Sequence, residues 1–147
     1  QEVYKAWERT RRVAEVLKAE IILFQTPSSF KPTDENIKNM ERFFERIKEK
    51  SLTFVLELRN WPWDRCLSLA ETIGIVPVIT EENLDKEPPQ KLWYIRLHGR
   101  KGYRYKYTDE DLKALAERIK TAERRTYVFF NNLSMYEDAL KLKKMIE

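Results

Sequence analysis

An α/β fold built on a parallel sheet is predicted by three features of the 147-residue sequence. Short apolar runs rich in β-branched residues alternate with longer segments whose apolar residues recur every three or four positions. Most of the short runs are apolar throughout, as strands covered on both faces are. Each is joined to the next by a segment that can serve as the crossover a parallel pair needs. The order reads αβαβαβ(loop)βαβα. An open five-stranded sheet and a part of a (β/α)8 barrel both fit it, and periodicity does not separate them.

The elements follow in order. Val3, Trp7, Ala14 and Leu17 recur at helical spacing, which predicts a helix over 2–19 buried through those four residues. Residues 21–25 form a buried strand that ends at Thr26-Pro27, a pair a helix does not accept. Pro32 and Thr33 open the next helix, with Asp34 and Glu35 in its first turn and Ile37, Met40, Phe43, Phe44 and Ile47 as its core stripe. Residues 52–58 are the second strand. After the Trp61-Pro62-Trp63 loop, Asp64 is expected to cap a helix buried through Cys66, Leu69, Ala70 and Ile73, with Gly74 as its stop. Residues 76–79 are the third strand, 81–91 a polar connection with one short helical turn, and 92–97 the fourth strand. A loop over 99–107 leads to Thr108 and Asp111, a capping box for a helix buried through Leu112, Leu115, Ala116 and Ile119. Residues 127–130 are the fifth strand. Ser134 and Glu137 read as a second capping box, opening a last helix buried through Ala139, Leu142 and Ile146.

Composition narrows the function classes. Hydrophobic residues make up 42% of the chain, enough for a core and too many for a disordered chain. Lys+Arg 28 against Asp+Glu 24 gives a net charge of +4, which permits an anionic partner without demanding one. One cysteine, Cys66, leaves no disulfide framework, and one histidine, His98, leaves no multi-histidine metal centre. No metal and no cofactor are expected. No apolar run approaches the ~20 residues of a membrane span, so no membrane partner is expected and the cytoplasm is the expected address. The abundance of Lys, Glu and Arg beside three glycines fits a heat-adapted protein.

The strand ends carry the polar chemistry. Residues two apart in a strand share a face. Phe54, Leu56 and Leu58 therefore share one side, and Val55, Glu57 and Arg59 the other. Trp93, Ile95 and Leu97 oppose Tyr94, Arg96 and His98 in the same way. Gln25, Thr80, Asn131 and Asn132 close their own strands. A polar group thus stands at the C-terminal end of every strand, where parallel α/β folds build their sites. A structural ion network is the competing reading, because a buried charge needs a partner. The inner face of the sheet is expected to carry Leu23, Val55, Val78, Tyr94 and Phe130.

The sequence carries Gln25-Thr26-Pro27, Phe30-Lys31-Pro32-Thr33 with Glu35-Asn36, Glu57-Leu58-Arg59, Tyr94-Ile95-Arg96-Leu97-His98-Gly99, Tyr103-Arg104-Tyr105 and Phe130-Asn131-Asn132. Taken together, these segments resemble the YecE-like family (domain of unknown function 72). The resemblance implies a partial TIM-type (β/α)8 barrel over residues 1–147, its five parallel strands being strands four to eight with their covering helices. It implies a polar rim with Gln25, Glu57, Arg59, Arg96, His98 and Asn132, and no known reaction. Thr80 stands where the family usually shows an aspartate. The family's first three β/α units have no counterpart in the sequence. Self-association, or cover from a missing N-terminal half, is therefore expected, because open parallel edges invite pairing.

Two function classes follow. In the first, a phosphate- or carboxylate-bearing small molecule is bound or turned over at the strand ends. Arg59 and Arg96 grip the anion bidentately, Gln25, Asn131 and Asn132 orient it, and Glu57 or His98 serves as general base. With one firmly placed carboxylate and one histidine, a metal-independent hydrolase or lyase-type reaction is the class open to it. In the second, the chain is a nucleic-acid-binding protein using the 99–107 loop. There Arg100, Lys101 and Arg104 meet phosphates, and Tyr103 and Tyr105 stack bases. Trp63 is expected to staple the helix that follows it, and Cys66 to be inert core.

Overall fold

A computed structural model describes residues 1–147. The chain is an α/β fold with five parallel strands in sequential order, β1-β2-β3-β4-β5, the topology of consecutive units of a (β/α)8 barrel. It divides into two compact units, Gln1–Pro77 and Val78–Glu147.

The first unit holds α1 (Glu2–Leu17), β1 (Ile21–Thr26), α2 (Asp34–Ile47), β2 (Thr53–Leu58), α3 (Trp63–Ile73) and the first half of β3 (Val76–Ile79). Its core is aromatic. The Phe24 ring meets Phe44 at 5.0 Å and Phe54 at 5.3 Å, and Trp7 meets Phe54 at 5.4 Å, all ring centroids. α1 buries Trp7 and Ala14, but Val3 and Leu17 are 60% and 71% exposed, so the expected four-residue stripe narrows to two. α1 also ends two residues early, where Lys18 takes the left-handed conformation. Thr33 caps α2 as expected, its hydroxyl accepting from the Asn36 amide. α3 departs from expectation: Pro62 sits at its N-cap, and Asp64 lies inside the first turn without capping it. Proline supplies the fixed φ that a helix start tolerates, and the acid still favours the positive end of the helix dipole. Gly74 ends α3 at φ 70°.

β1 and β2 are paired over six positions, with Gln25 opposite Glu57. β2 pairs Val55 and Leu56 with Val76 and Pro77 of β3.

The second unit begins with the other half of β3, which pairs Val78 with Tyr94 and Ile79 with Ile95. A single 3-10 turn at Glu81–Asn83 follows, then β4 (Leu92–Leu97), α4 (Asp109–Ala122), β5 (Arg125–Phe130) and α5 (Met135–Ile146). The Thr108–Asp111 capping box is present in both directions. α4 buries Leu112, Leu115 and Ala116 as its spacing demands.

Two expectations fail here. Ser134 makes no side-chain cap on α5, and that helix buries Asp138 and Leu142 where Ala139, Leu142 and Ile146 were expected. Ala139 is exposed. Asp138 lies inside because Asn132 and the Tyr107 amide donate to it, which lets an acid occupy a core position. Phe130 is also misplaced by the sequence. β5 begins two residues earlier than expected, and its register sets Tyr127 opposite Tyr94, Phe129 opposite Arg96 and Phe130 opposite Leu97. Phe129 therefore stacks on Tyr94 at 4.8 Å, while Phe130 lies on the other face against Tyr107 at 5.3 Å.

Gly99 allows the tight turn after β4. Its φ is +95°, and a Cβ there would collide with the Gly102 carbonyl oxygen and sit 2.9 Å from Tyr105 Cβ. Backbone on one side and strain on the other leave nothing to yield. Gly99→Ala should lower stability by about 2 kcal/mol or more, read as a fall in the urea midpoint. An unchanged midpoint would show that the 99–107 loop is not held in this conformation.

Candidate functional site

The C-terminal ends of β1 and β2 build a small polar cluster. Register places Gln25 beside Glu57, and alternation carries Arg59 to the same side two residues on. Asn60 follows with φ 61°, a left-handed position that asparagine tolerates, and the Trp61 amide closes the turn on the Leu58 carbonyl at 3.4 Å. Arg59 turns back over its own strand. Its Nε donates to Glu57 Oε1 at 3.4 Å and, with the Gln25 amide set to satisfy it, to the Gln25 oxygen at 2.7 Å. Nη2 of Arg59 donates to the same Gln25 oxygen. Glu57 is buried, at 5% exposure, whereas half of the Arg59 side chain is exposed. The Thr26 hydroxyl donates to the Glu57 carbonyl at 3.4 Å and ties the two strand ends again.

Trp61, not Trp63, is the packed tryptophan of this rim. Its indole N–H donates to the Phe30 carbonyl at 2.6 Å and its ring stacks on Phe30 at 6.0 Å, so the loops after β1 and β2 are held together. Trp63 is the half-buried first residue of α3. Cys66 is half-buried, and burial, helped by the nearby Asp64 charge, pushes its thiol up to about 12. It is a protonated, unreactive thiol, as its apolar helix face indicated.

In the second unit the sequence-derived residues sit at the ends of β4 and β5. Arg96 lies within β4, half-buried, and His98 directly follows the strand; neither is free of interactions. The Asn131 amide donates to the Leu97 carbonyl at 2.7 Å, and its side chain is exposed. Asn132 is buried at 2% exposure and works as a clamp. Its Nδ2 donates to the Tyr105 carbonyl at 2.7 Å and to Asp138 Oδ2 at 2.6 Å, binding the 99–107 loop to α5. Thr80 Oγ1 accepts from Asn83 at 3.3 Å in the turn that follows β3.

The 99–107 loop is latched at several points. The Tyr107 hydroxyl donates to Glu81 Oε1 at 2.5 Å, and the Gly99 amide reaches both Glu81 Oε1 at 2.6 Å and the Tyr107 oxygen at 2.9 Å. Burial and the Glu81 carboxylate hold the Tyr107 phenol above its ordinary range. Tyr105 donates to Asp111 Oδ2 at 2.6 Å, Arg100 pairs with Asp111 Oδ1 at 2.7 Å, and Lys106 pairs with Glu137 at 2.5 Å. Two of the loop's cations and two of its tyrosines are therefore spent on holding the loop, leaving Lys101, Tyr103 and Arg104 exposed on it. Glu81, Asp111 and Asp138, which anchor the loop, were not singled out in the sequence as site residues. Local spacing marks Asp111 only as the capping-box acid, and Tyr107, which Glu81 and Asp138 hold, lies 26 and 31 residues from them, beyond any local pattern.

With this geometry established, comparisons with known proteins place the chain. The profile of the family "Protein of unknown function DUF72" matches residues 1–147. The chain belongs to the DUF72 family. It is similar to the crystal structure of a DUF72 family protein from Thermotoga maritima, with 27% identity and a TM-score of 0.73 over 95% of this chain and 64% of that one. A DUF72 family protein from Enterococcus faecalis is similar in fold, with 23% identity and a TM-score of 0.66 over 86% of this chain and 58% of the other. The chain thus spans less than two thirds of the length of either relative. No curated protein matches it. No helix is long and apolar enough to cross a membrane.

Asp111 joins the loop to α4 and sets a pH dependence. Burial alone would raise its pKa, but bonds from Tyr105 and the Thr108 amide and the Arg100 charge outweigh it and hold the carboxyl below its ordinary value. The folded state therefore gains from ionised Asp111 at any pH above the unfolded value near 4, and loses that gain as pH falls through the lower folded value. Melting temperatures of the wild type and Asp111→Asn should differ most above about pH 5 and converge as pH falls through the lowered folded value. A gap that widens toward acid would contradict the assignment.

Proposed function

We propose that this DUF72 chain binds a small anion, phosphate- or carboxylate-bearing, at the C-terminal ends of its strands, with Arg59 as the hook. One observation carries the reading. The Arg59 guanidinium is fixed along one edge by Glu57 and Gln25, while Nη1 makes no bond within the fold and half of the side chain is open. A guanidinium oriented before the ligand arrives loses less freedom on binding, and its open N–H pair matches the spacing of two phosphate or carboxylate oxygens.

In this reading Gln25 and Glu57 position the guanidinium. The Glu57 carboxylate orients Arg59 and balances its charge, so affinity comes from directed N–H donors. In the second unit Arg96 and His98 are further candidates for contact with an anion, and Asn132 supports the loop that follows β4. A turnover role for Glu57 or His98 belongs to the same proposal and rests on their places at strand ends.

Calorimetric titration with inorganic phosphate and with citrate tests it. Arg59→Ala should weaken binding by about tenfold or more, the worth of a charged hydrogen bond. Arg59→Lys should recover only part of the loss, because an ammonium lacks the fork. Equal affinity in Arg59→Ala and the wild type would refute the role of Arg59, and binding of neither anion to the wild type would refute the site.

A further inference from the structure

A second cationic feature lies away from the strand ends, on the outer surface of the first unit. Lys5, Arg9 and Arg12 project from one face of α1 at i, i+4 and i+7, and Arg46 projects from α2 across from them. Together with Tyr4, Trp7, Glu8 and Ile47 they line a groove of about 440 Å³ between the two helices. All four cations are exposed, and none has a carboxylate at ion-pair distance. Glu8, the one acid on the groove wall, is turned to Arg11 at 3.4 Å. Arg46 instead lies over the Tyr4 ring at 3.9 Å, which holds its guanidinium at the groove edge.

What sets these four apart is that they stand together; elsewhere several cations are neutralised singly. Arg100, Lys106 and Lys141 each pair with an acid. Acids are nearly as numerous as bases, at 24 against 28, so four neighbouring cations without one form a real positive field.

We propose that the α1–α2 groove binds the phosphate backbone of a nucleic-acid strand, without reading its sequence. The spacing fits. At about 1.5 Å per residue, Lys5 and Arg12 stand roughly 10 Å apart along the helix, enough for the row of cations to reach more than one phosphate of a strand. Arg46 flanks the same path from the opposite wall. The floor is Trp7 and Ile47, both buried, so the groove has no apolar side chain standing out of its floor to enter a bilayer. The surface differs from the 99–107 loop, whose cations Arg100 and Lys106 are already paired with acids. It is also independent of the Arg59 site.

Fluorescence anisotropy with a labelled single strand of about 20 thymidines, beside a duplex of the same length, tests the proposal. Four phosphate contacts predict a log–log salt slope of about −2.8 for the single strand, hence roughly a 50-fold loss of affinity from about 50 mM to about 200 mM salt. Arg9→Glu with Arg12→Glu should abolish most binding at low salt. Arg9→Gln with Arg12→Gln should halve the slope to about −1.4, and serves if the charge reversal fails to fold by circular dichroism. Arg100→Glu with Lys101→Glu should leave both slope and affinity unchanged.

Binding lost in that loop variant and kept in the α1 variants would overturn the groove in favour of the loop. Absence of oligonucleotide binding would overturn it as well, as would binding confined to vesicles rich in phosphatidylserine.

Discussion

The first unit depends on five aromatic rings. Trp7 from α1, Phe43 and Phe44 from α2, Phe24 from β1 and Phe54 from β2 interlock at centroid distances of 5.0–6.0 Å. Each ring prefers the edge or offset of its neighbour and removes a large apolar area from water. Because side chains alternate along a strand, locking Phe24 and Phe54 onto the helices fixes what the opposite side carries. A slip of one residue would drive Gln25 and Glu57 into the aromatic cluster and leave the phenylalanines outside. The polar cluster at the strand ends is thus a consequence of the packing on the other face.

The second unit solves a different problem. Its 99–107 loop is rich in cations and tyrosines and carries two glycines at positive φ, a composition that suits a mobile segment. Instead it is tied to the turn after β3 through Glu81, to α4 through Asp111, and to α5 through Asn132, Asp138 and Glu137. Asp138 is the member of highest consequence. Its carboxyl has no exposure, and Asn132 and the Tyr107 amide both donate to Oδ2, so removing either partner would leave a buried acid short of compensation. This arrangement favours a rigid rim, and it reassigns residues whose composition suggests ligand contact to internal support.

Strand ends and outer helix faces therefore divide the chain's cationic chemistry. At the strand ends, Arg59 is held in one geometry by neighbours and offers few but directed donors. On the α1–α2 face, exposed side chains offer charge without fixed geometry. The first arrangement suits a small anion recognised by shape, and the second suits a repeating polyanion recognised by spacing and field.

The element order, the parallel class and most of the buried stripes are legible in the amino acids alone, because these rest on local periodicity and on caps that span three residues. Thr33, Gly74 and the Thr108–Asp111 box are legible for that reason. The sequence also shows that Gln25, Glu57 and Arg59 close their strands, and the resemblance carried by those residues led to the correct family. Packing between distant segments decided which tryptophan packs, that Phe129 rather than Phe130 faces Tyr94, and that α5 buries Asp138 in place of Ala139. It also decided that Arg100 and Lys106 of the loop are paired with acids, while Lys5, Arg9 and Arg12 of α1 are not. Each of these depends on partners distant in sequence or on a register set by the first residue of a strand. A side chain's neighbours across a fold leave no mark in its local pattern, and they decide whether a polar group there holds the fold together or stands open to a ligand.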